Sequence, residues 1–322
     1  MVDDITLPID DVFGHLHTLR DFIRWGASRM NEAGLYFGHG TADAIDEAAA
    51  LVLHSLHLPP DLSAEFFPAN LTPDEKHTVL HLLERRIRER KPAAYLTHRA
   101  WFMGLPFYVD ERVLIPRSPL AELIETHFEP WLSNNGAVES ILDLCAGSGC
   151  IGIACAYAFP NAQVDLVDIS TAALEVARRN IEEHGLEERV NAIESDLFAE
   201  LDGCRYDLIV SNPPYVSTAE LQRLPAEYHH EPAIGLEAGE DGLDVILKIL
   251  HQALAHLSDD GLLVVEVGNA QHALSDAFPE VPFVWPELER GGEGVFLLTA
   301  RQLQAVHHRF DPYENADTVG SG

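Results

Sequence analysis

The sequence predicts an α/β protein in which a mainly parallel sheet, covered by helices on both faces, follows a smaller helical domain. Three features point to it. From Ser140 onward short apolar runs alternate with helical patterns. A glycine-rich turn, Asp143-Leu144-Cys145-Ala146-Gly147-Ser148-Gly149, separates the first run from the first helix. Residues 1–93 carry helical periodicity alone. Alternating strand and helix units bury both faces of a parallel sheet, whereas a purely helical stretch must find its own core.

Along the first domain, Val12, Leu16, Leu19, Ile23, Ala27 and Met30 recur every three or four positions, which predicts one amphipathic helix from Ile9 to about Met30. Residues 43–57 repeat the pattern. Thr72-Pro73-Asp74-Glu75 combines a capping box with proline at the first helical position and opens a helix to about Arg90.

Residues 94–135 form a connector. Trp101 to Val109 is aromatic and β-branched around Gly104, which predicts a hairpin, and a helix follows over 118–132, with polar Ser133-Asn134-Asn135-Gly136 behind it. The larger domain spans 136–305. Its strands are expected at 140–144, 162–167, 190–193, 206–210 and 262–267, with a terminal pair at 283–288 and 295–298. Its helices are expected at 150–159, 171–184 and 243–257. Residues 306–322 read as a polar, disordered tail.

Composition bounds the function. The chain of 322 residues carries 21 Lys plus Arg against 52 Asp plus Glu, a formal net charge of −31. Such a surface repels a phosphate backbone and attracts basic partners, although solubility alone accounts for it equally well. No run of about 18 apolar residues occurs, and the Met1-Val2-Asp3-Asp4 start is acidic, so neither a membrane span nor a signal peptide is expected and the protein reads as cytoplasmic. Cys145, Cys150 and Cys155 recur at five-residue intervals, which scatters them over different faces of a helix. They read as reduced, packed thiols, and no metal site is expected.

The turn at 143–149 lies where open α/β sheets bind ligands, beyond the carboxyl end of a strand. A dinucleotide turn has no acid at its head. Asp143 suits a cationic amino-acid moiety, the methionine end of S-adenosylmethionine, better than a pyrophosphate, with Cys145, Ala146, Gly147, Ser148 and Gly149 letting the backbone approach the ligand. Asp168 ends the second strand, where a carboxylate accepts from both ribose hydroxyls; Ser170 is better placed to cap the next helix. After the third strand, Asp196 can accept from an adenine amino group, with Leu197 alongside and Phe198 packed near the ring, though Asp196 reads almost as well as an ordinary loop acid.

Asn212-Pro213-Pro214-Tyr215 follows the fourth strand. An amide nitrogen is a poor nucleophile because its lone pair is delocalised. The Asn212 side-chain oxygen and the Pro213 carbonyl can each accept one N–H of a target NH2 and turn its lone pair toward a methyl donor. Two prolines fix φ and offer no competing donors, and Tyr215 can stack on the planar group. A strand-closing Pro-Pro turn is the plainer reading of these residues alone. Donor turn and tetrapeptide together point to methyl transfer onto an amide or amine nitrogen.

These residues resemble the glutamine methyltransferases that modify the side-chain amide of Gln in proteins of translation. The likeness runs through residues 143–149, Asp168 and 212–215, and extends to Val113-Leu114-Ile115-Pro116-Arg117-Ser118-Pro119 and His230-Glu231-Pro232. It implies a Rossmann-like class I S-adenosylmethionine-dependent sheet, an N-terminal helical domain for substrate recognition and a β-hairpin connector. Ser118-Pro119 stands where the release-factor branch typically has Pro-Glu-Thr. With residues 24–29 and 36–41, this implies the branch acting on large-subunit ribosomal protein three, a strongly basic substrate that an acidic enzyme would attract before or during ribosome assembly.

The resemblance leaves Arg117 either orienting the substrate peptide or forming a surface salt bridge, while His229 and His230 read as loop packing rather than bases. The first rival is an adenine-amino methyltransferase of nucleic acid, which uses a similar tetrapeptide. It would need a basic groove, and the one cluster of cations, residues 84–91, is balanced by acids. A second rival, a non-catalytic assembly factor keeping a donor pocket, has no need of the amide-polarising Asn212.

Overall fold

The computed structural model describes residues 12–132 and 138–310. The expectations for the acidic start, the first residues of the helix from Ile9, the polar segment 133–136 and the tail beyond Phe310 lie outside the described residues.

Two compact units emerge. The first runs to Ala100 and takes in Pro225–His230 from far along the chain. Its helices are α1 Leu19–Glu32, α2 Ala44–Ser55, α3 Pro73–Glu89 and the short α4 Ala93–Thr97. The single helix expected from Ile9 is broken. Thr18 takes an extended conformation and caps α1, its hydroxyl accepting from Asp21 N–H while the Asp21 carboxylate accepts from Thr18 N–H, so residues 14–17 leave the helical path. The capping box at Thr72 opens α3 as read.

Phe22, Met30, Leu51, Leu80 and Leu83 are buried in the centre of this unit. A Cβ on Gly26 would lie 2.9 Å from Leu83, so the glycine lets α1 and α3 meet closely. The unit extends past the boundary expected at residue 93 because α4 buries Ala93 and Leu96 in the same core. Within Pro225–His230, buried Glu227 accepts from Tyr36 N–H and pairs with Arg90 at 2.9 Å.

The second unit begins in a hairpin of β1 Ala100–Phe102 and β2 Leu105–Phe107, turned at Met103 and Gly104, whose φ angles of 50° and 72° are both left-handed. The helix expected over 118–132 shortens to α5 Leu120–Glu125, because His127 and Phe128 take φ of 54° and 57° and end it.

The sheet comprises β3 Ser140–Leu144, β4 Gln163–Asp168, β5 Val190–Glu194, β6 Tyr206–Ser211, β7 Leu257–Glu266 and β8 Val295–Thr299, in the order β5-β4-β3-β6-β7-β8. Only β8 runs antiparallel to its neighbour. Helices α6 Cys150–Ala158, α7 Thr171–His184 and α9 Asp244–His256 match the expected ones, while α8 Thr218–Leu221, α10 Gln271–Ala277 and α11 Ala300–Val306 were not expected. The strand expected at 283–288 reduces to a single bridge between Val284 and Leu297. Residues 306–310 are not tail, since Phe310 is buried against Phe278.

Strand periodicity sorts the core. Ile141, Val164, Leu166, Leu208, Val210 and Val264 face α6, whereas Leu142, Leu144, Ile209, Leu263 and Val265 face α9 and α11. The chain runs outward from β3 to β4 and β5, then returns to β6 on the other side of β3. Loops leaving the carboxyl ends of β3 and β6 therefore diverge and open a crevice, the position where such sheets bind ligands.

Candidate active site

A cavity of about 300 Å³ occupies that crevice. Its walls are the turn after β3 (Cys145, Ala146, Gly147, Ser148), the end of β4 (Asp168, Ile169, Ser170), the loop after β5 (Ser195, Asp196, Leu197), and Asn212 and Pro214 after β6. The strip from Arg112 to Ser118, with Pro232, Ile234, Gly235 and Glu237, and Val245 and Lys248 on α9, also line it.

The turn is held from below. Ser211 Oγ donates to the Leu144 carbonyl at 2.9 Å, and Ala146 N–H donates to the Val167 carbonyl at 3.0 Å, locking the ends of β3, β4 and β6 together. Gly147 takes φ +55°, and a Cβ there would meet nothing within 4 Å, so its far side is open space. Its N–H donates to Asp168 Oδ2 at 2.8 Å, while Asp168 Oδ1 accepts from Ser170 N–H at 2.8 Å. Each oxygen keeps a lone pair for a hydroxyl donor. Burial raises the Asp168 carboxyl above its ordinary range, against the pull of those N–H groups.

Asp143 departs from the expected contact. Its fully buried side chain turns toward α6, where Oδ2 accepts from Gly152 N–H at 2.8 Å, and it does not line the cavity. Oδ1 has no hydrogen-bond partner. Burial, with a smaller push from Asp168, lifts its pKa to about 8. A Cβ on Gly152 would lie 2.1 Å from Leu166 and 3.1 Å from Asp143 Oδ2, so only glycine lets α6 come this close. Gly149 is likewise behind the wall, the left-handed cap of α6 packed on Leu166 and Ala177.

Beyond β5, Asp196 and Leu197 line the cavity, Leu197 with φ +52°. Phe198 does not. It is buried in the core and stacks on His256 with centroids 4.6 Å apart, because the left-handed turn at Leu197 sends the next side chain inward. On the β6 side, the Asn212 side chain has no hydrogen-bond partner among the described residues and stands at the wall, whereas Pro213 is buried behind it. Tyr215 Oη donates to Glu266 Oε1 at 2.9 Å.

Arg117 lines the cavity and pairs at two points with Glu231, so it is not a surface ion pair. His230 Nε2 lies 3.0 Å from the Glu89 carbonyl in the first unit, a packing contact. Cys145, Cys150 and Cys155 are free thiols; burial pushes Cys150 up to about 12 and the other two upward as well. Among the described residues no group of three His, Cys, Asp or Glu is placed to hold a metal ion, and no helix is long and apolar enough to cross a membrane.

A methyltransferase small domain matches residues 126–227. The ribosomal protein uL3 glutamine methyltransferase of Francisella tularensis subsp. tularensis (strain SCHU S4 / Schu 4) is 47% identical over 303 residues, 94% of this chain and 96% of that protein. Its counterpart in Xylella fastidiosa (strain Temecula1 / ATCC 700964) is 53% identical over 294 residues, 91% and 94% of the two chains. The chain belongs to the ribosomal protein uL3 glutamine methyltransferase family.

Among solved structures, the hMettl16 catalytic domain in complex with a MAT2A 3'UTR hairpin covers 70% of this chain and 80% of its own at 16% identity, with a TM-score of 0.48. The sheet of this uL3 glutamine methyltransferase family member is the Rossmann-like class I sheet that the resemblance implied. Asn180 and Glu266 escaped the sequence reading, and Glu231 entered it only within the likeness, without a role. Buried Asn180 on α7 donates to the Ser148 carbonyl at 2.8 Å and exchanges bonds with the Tyr108 backbone, bracing the turn. Glu231 anchors Arg117. Glu266 ends β7 after Leu262-Leu263-Val264-Val265, and a lone acid closing an apolar strand is the signal that singled out Asp168.

Proposed function

We propose that the protein methylates the side-chain amide nitrogen of a glutamine in ribosomal protein uL3, with S-adenosylmethionine as donor, in the cytoplasm. Membership of the family carries the reaction and its substrate. The observation that carries the mechanism is the position of Asn212: an unpartnered amide in the wall of the cavity, one strand across from the glycine turn.

The residues fit the donor. Gly147 leaves its outer side open, Asp168 retains acceptor capacity on both oxygens, and Asp196 and Leu197 close the far end. In this reading, Cys145 to Ser148 and Asp168 to Ser170 hold the ribose and methionine ends, and Asp196 receives the adenine amino group. Asp143 acts indirectly, by fixing Gly152 and the start of α6. When bound, S-adenosylmethionine supplies an electrophilic methyl on a sulfonium.

Asn212 Oδ1 and the Pro213 carbonyl accept the two N–H groups of the glutamine amide, raising electron density on nitrogen and aiming its lone pair. Pro214 packs the planar group with Tyr215 set behind it, and Arg117 borders the path of the substrate peptide. The amide nitrogen gains a methyl and yields one proton to a carbonyl or water, so no strong base is required. Orientation provides most of the acceleration. The net charge of −31 favours encounter with a basic ribosomal protein and disfavours nucleic acid.

The test is transfer of labelled methyl into purified uL3, a release factor and an oligonucleotide in parallel, with mass mapping of the product. Methylated Gln in uL3 alone is expected. Label in the release factor alone would move the substrate assignment, and label in the oligonucleotide alone would overturn it.

A further inference from the structure

Glu266 is used nowhere in the mechanism above. It lies at the carboxyl end of β7, beside β6, and is buried. Two hydroxyls from distant parts of the unit converge on it: Ser118 Oγ donates to Oε2 at 2.5 Å and Tyr215 Oη donates to Oε1 at 2.9 Å. Leu262, Leu263, Val264 and Val265 ahead of it are apolar and buried, and an apolar side chain would end the strand without the desolvation cost of a carboxylate. Burial raises the Glu266 carboxyl above its ordinary range, against the pull of the Ser118 and Tyr215 hydroxyls and the Arg117 charge. Hydrogen bonds to its ionised form are about twice as strong as neutral ones. What they join here is specific.

Ser118 lines the cavity on one wall and Pro214, next to Tyr215, on the other, while Glu266 and Tyr215 lie behind it. Tyr215 is further confined at two points. A Cβ on Gly268 would lie 2.5 Å from its ring, and a Cβ on Gly242 would lie 2.3 Å from its carbonyl oxygen. Ser118 is set in turn by Leu120 N–H, which donates to its Oγ at 3.2 Å at the start of α5.

We propose that Glu266 is a positioning residue for glutamine transfer: it ties Tyr215 and Ser118 to one buried carboxylate, so that the Asn212-to-Tyr215 loop and the strip before α5 keep a fixed spacing around the glutamine amide. It touches neither donor nor substrate and acts through Tyr215. The inference rests on reading the Asn212 loop as the glutamine site.

The test is a double-mutant cycle of E266Q and Y215F, which keeps the ring and removes only the hydroxyl. Methyl transfer to purified uL3 is read alongside donor Kd and Tm. Each single variant is expected to lose about 10- to 100-fold in kcat/KM for uL3, the scale of one charge-assisted hydrogen bond, with donor Kd within about twofold of wild type. The double variant should be no slower than the slower single one. Multiplicative losses, or a donor Kd that rises in step with the loss of activity, would overturn the proposal.

If E266Q does not fold, S118A and Y215F replace it in the cycle, since each removes one donor from the same carboxylate. Less-than-multiplicative losses are expected, and multiplicative ones overturn the tie. Wild-type protein that leaves uL3 unlabelled would defeat the functional reading and this inference together; a labelled uL3 with independent losses would defeat the positioning role alone.

Discussion

Arg117 and Glu231 form a two-point ion pair, with Nη1 to Oε1 at 2.6 Å and Nη2 to Oε2 at 2.7 Å, and Glu231 Oε1 also accepts from Ile115 N–H at 3.1 Å. The Glu231 side chain is fully buried and that of Arg117 is 23% exposed. Removing the arginine strands a buried carboxylate, while removing the acid leaves a guanidinium that still reaches water. R117M should therefore lose about 3 kcal/mol of stability, and E231Q clearly less. Urea unfolding measures both; an R117M variant as stable as wild type would mean that water already screens the pair.

Asn212→Ala removes the cavity-lining oxygen proposed to polarise the glutamine amide. In preorganised sites the loss of one such group lowers kcat by about 10²- to 10³-fold. The rate of methyl transfer to uL3 at saturating donor should fall by that order while donor Kd, measured by calorimetry, stays close to wild type. A variant that binds donor normally and transfers methyl at the wild-type rate would remove Asn212 from the mechanism.

Much of this was legible in the chain because the signals were local. Thr72-Pro73-Asp74-Glu75 is a complete helix start within four residues. The apolar runs from Ser140 set five strands that the sheet reproduces within a residue or two, whereas β7 starts five residues before its expected Leu262 and the run at 283–288 makes a single bridge. What failed depended on backbone reversals without glycine. Left-handed His127 and Phe128 cut a helix short, and left-handed Leu197 turned Phe198 from the cavity into the core. Long-range pairings were the other blind spot. Glu231 with Arg117, Glu266 with Ser118 and Tyr215, and Glu227 with Arg90 join residues too far apart for spacing to reveal them.

Asp168 braces the donor turn through Gly147 and Ser170 N–H groups and offers its remaining lone pairs to the cavity. If Asp168 holds the donor as proposed, Asp168→Ala removes at least one hydrogen bond to a charged acceptor, which corresponds to about a 10- to 100-fold weaker donor Kd. In the proposed site the glutamine lies by Asn212, away from Asp168, so kcat at saturating donor should change less than donor Kd. A loss confined to kcat would place Asp168 on the wrong half of the site.

Asp143 makes stability depend on pH in a direction opposite to that of a salt-bridged acid. Burial lifts its folded-state pKa to about 8 from an ordinary value of 3.8, and the Gly152 N–H offsets this only in part. Between those values the unfolded chain releases the proton and the folded chain keeps it, so the folded state binds more protons and is destabilised as pH rises. Asn at this position cannot ionise, and its side-chain oxygen can still accept from Gly152. The stability of Asp143→Asn relative to wild type should therefore climb between pH 5 and pH 8, by up to about 1.4 kcal/mol per pH unit. Urea unfolding of both proteins without donor at pH 5, 6, 7 and 8 gives the difference directly. A flat difference would mean that Asp143 ionises at its ordinary value while folded, and the unpartnered Oδ1 would then need a cation or water that reaches it behind the glycine turn.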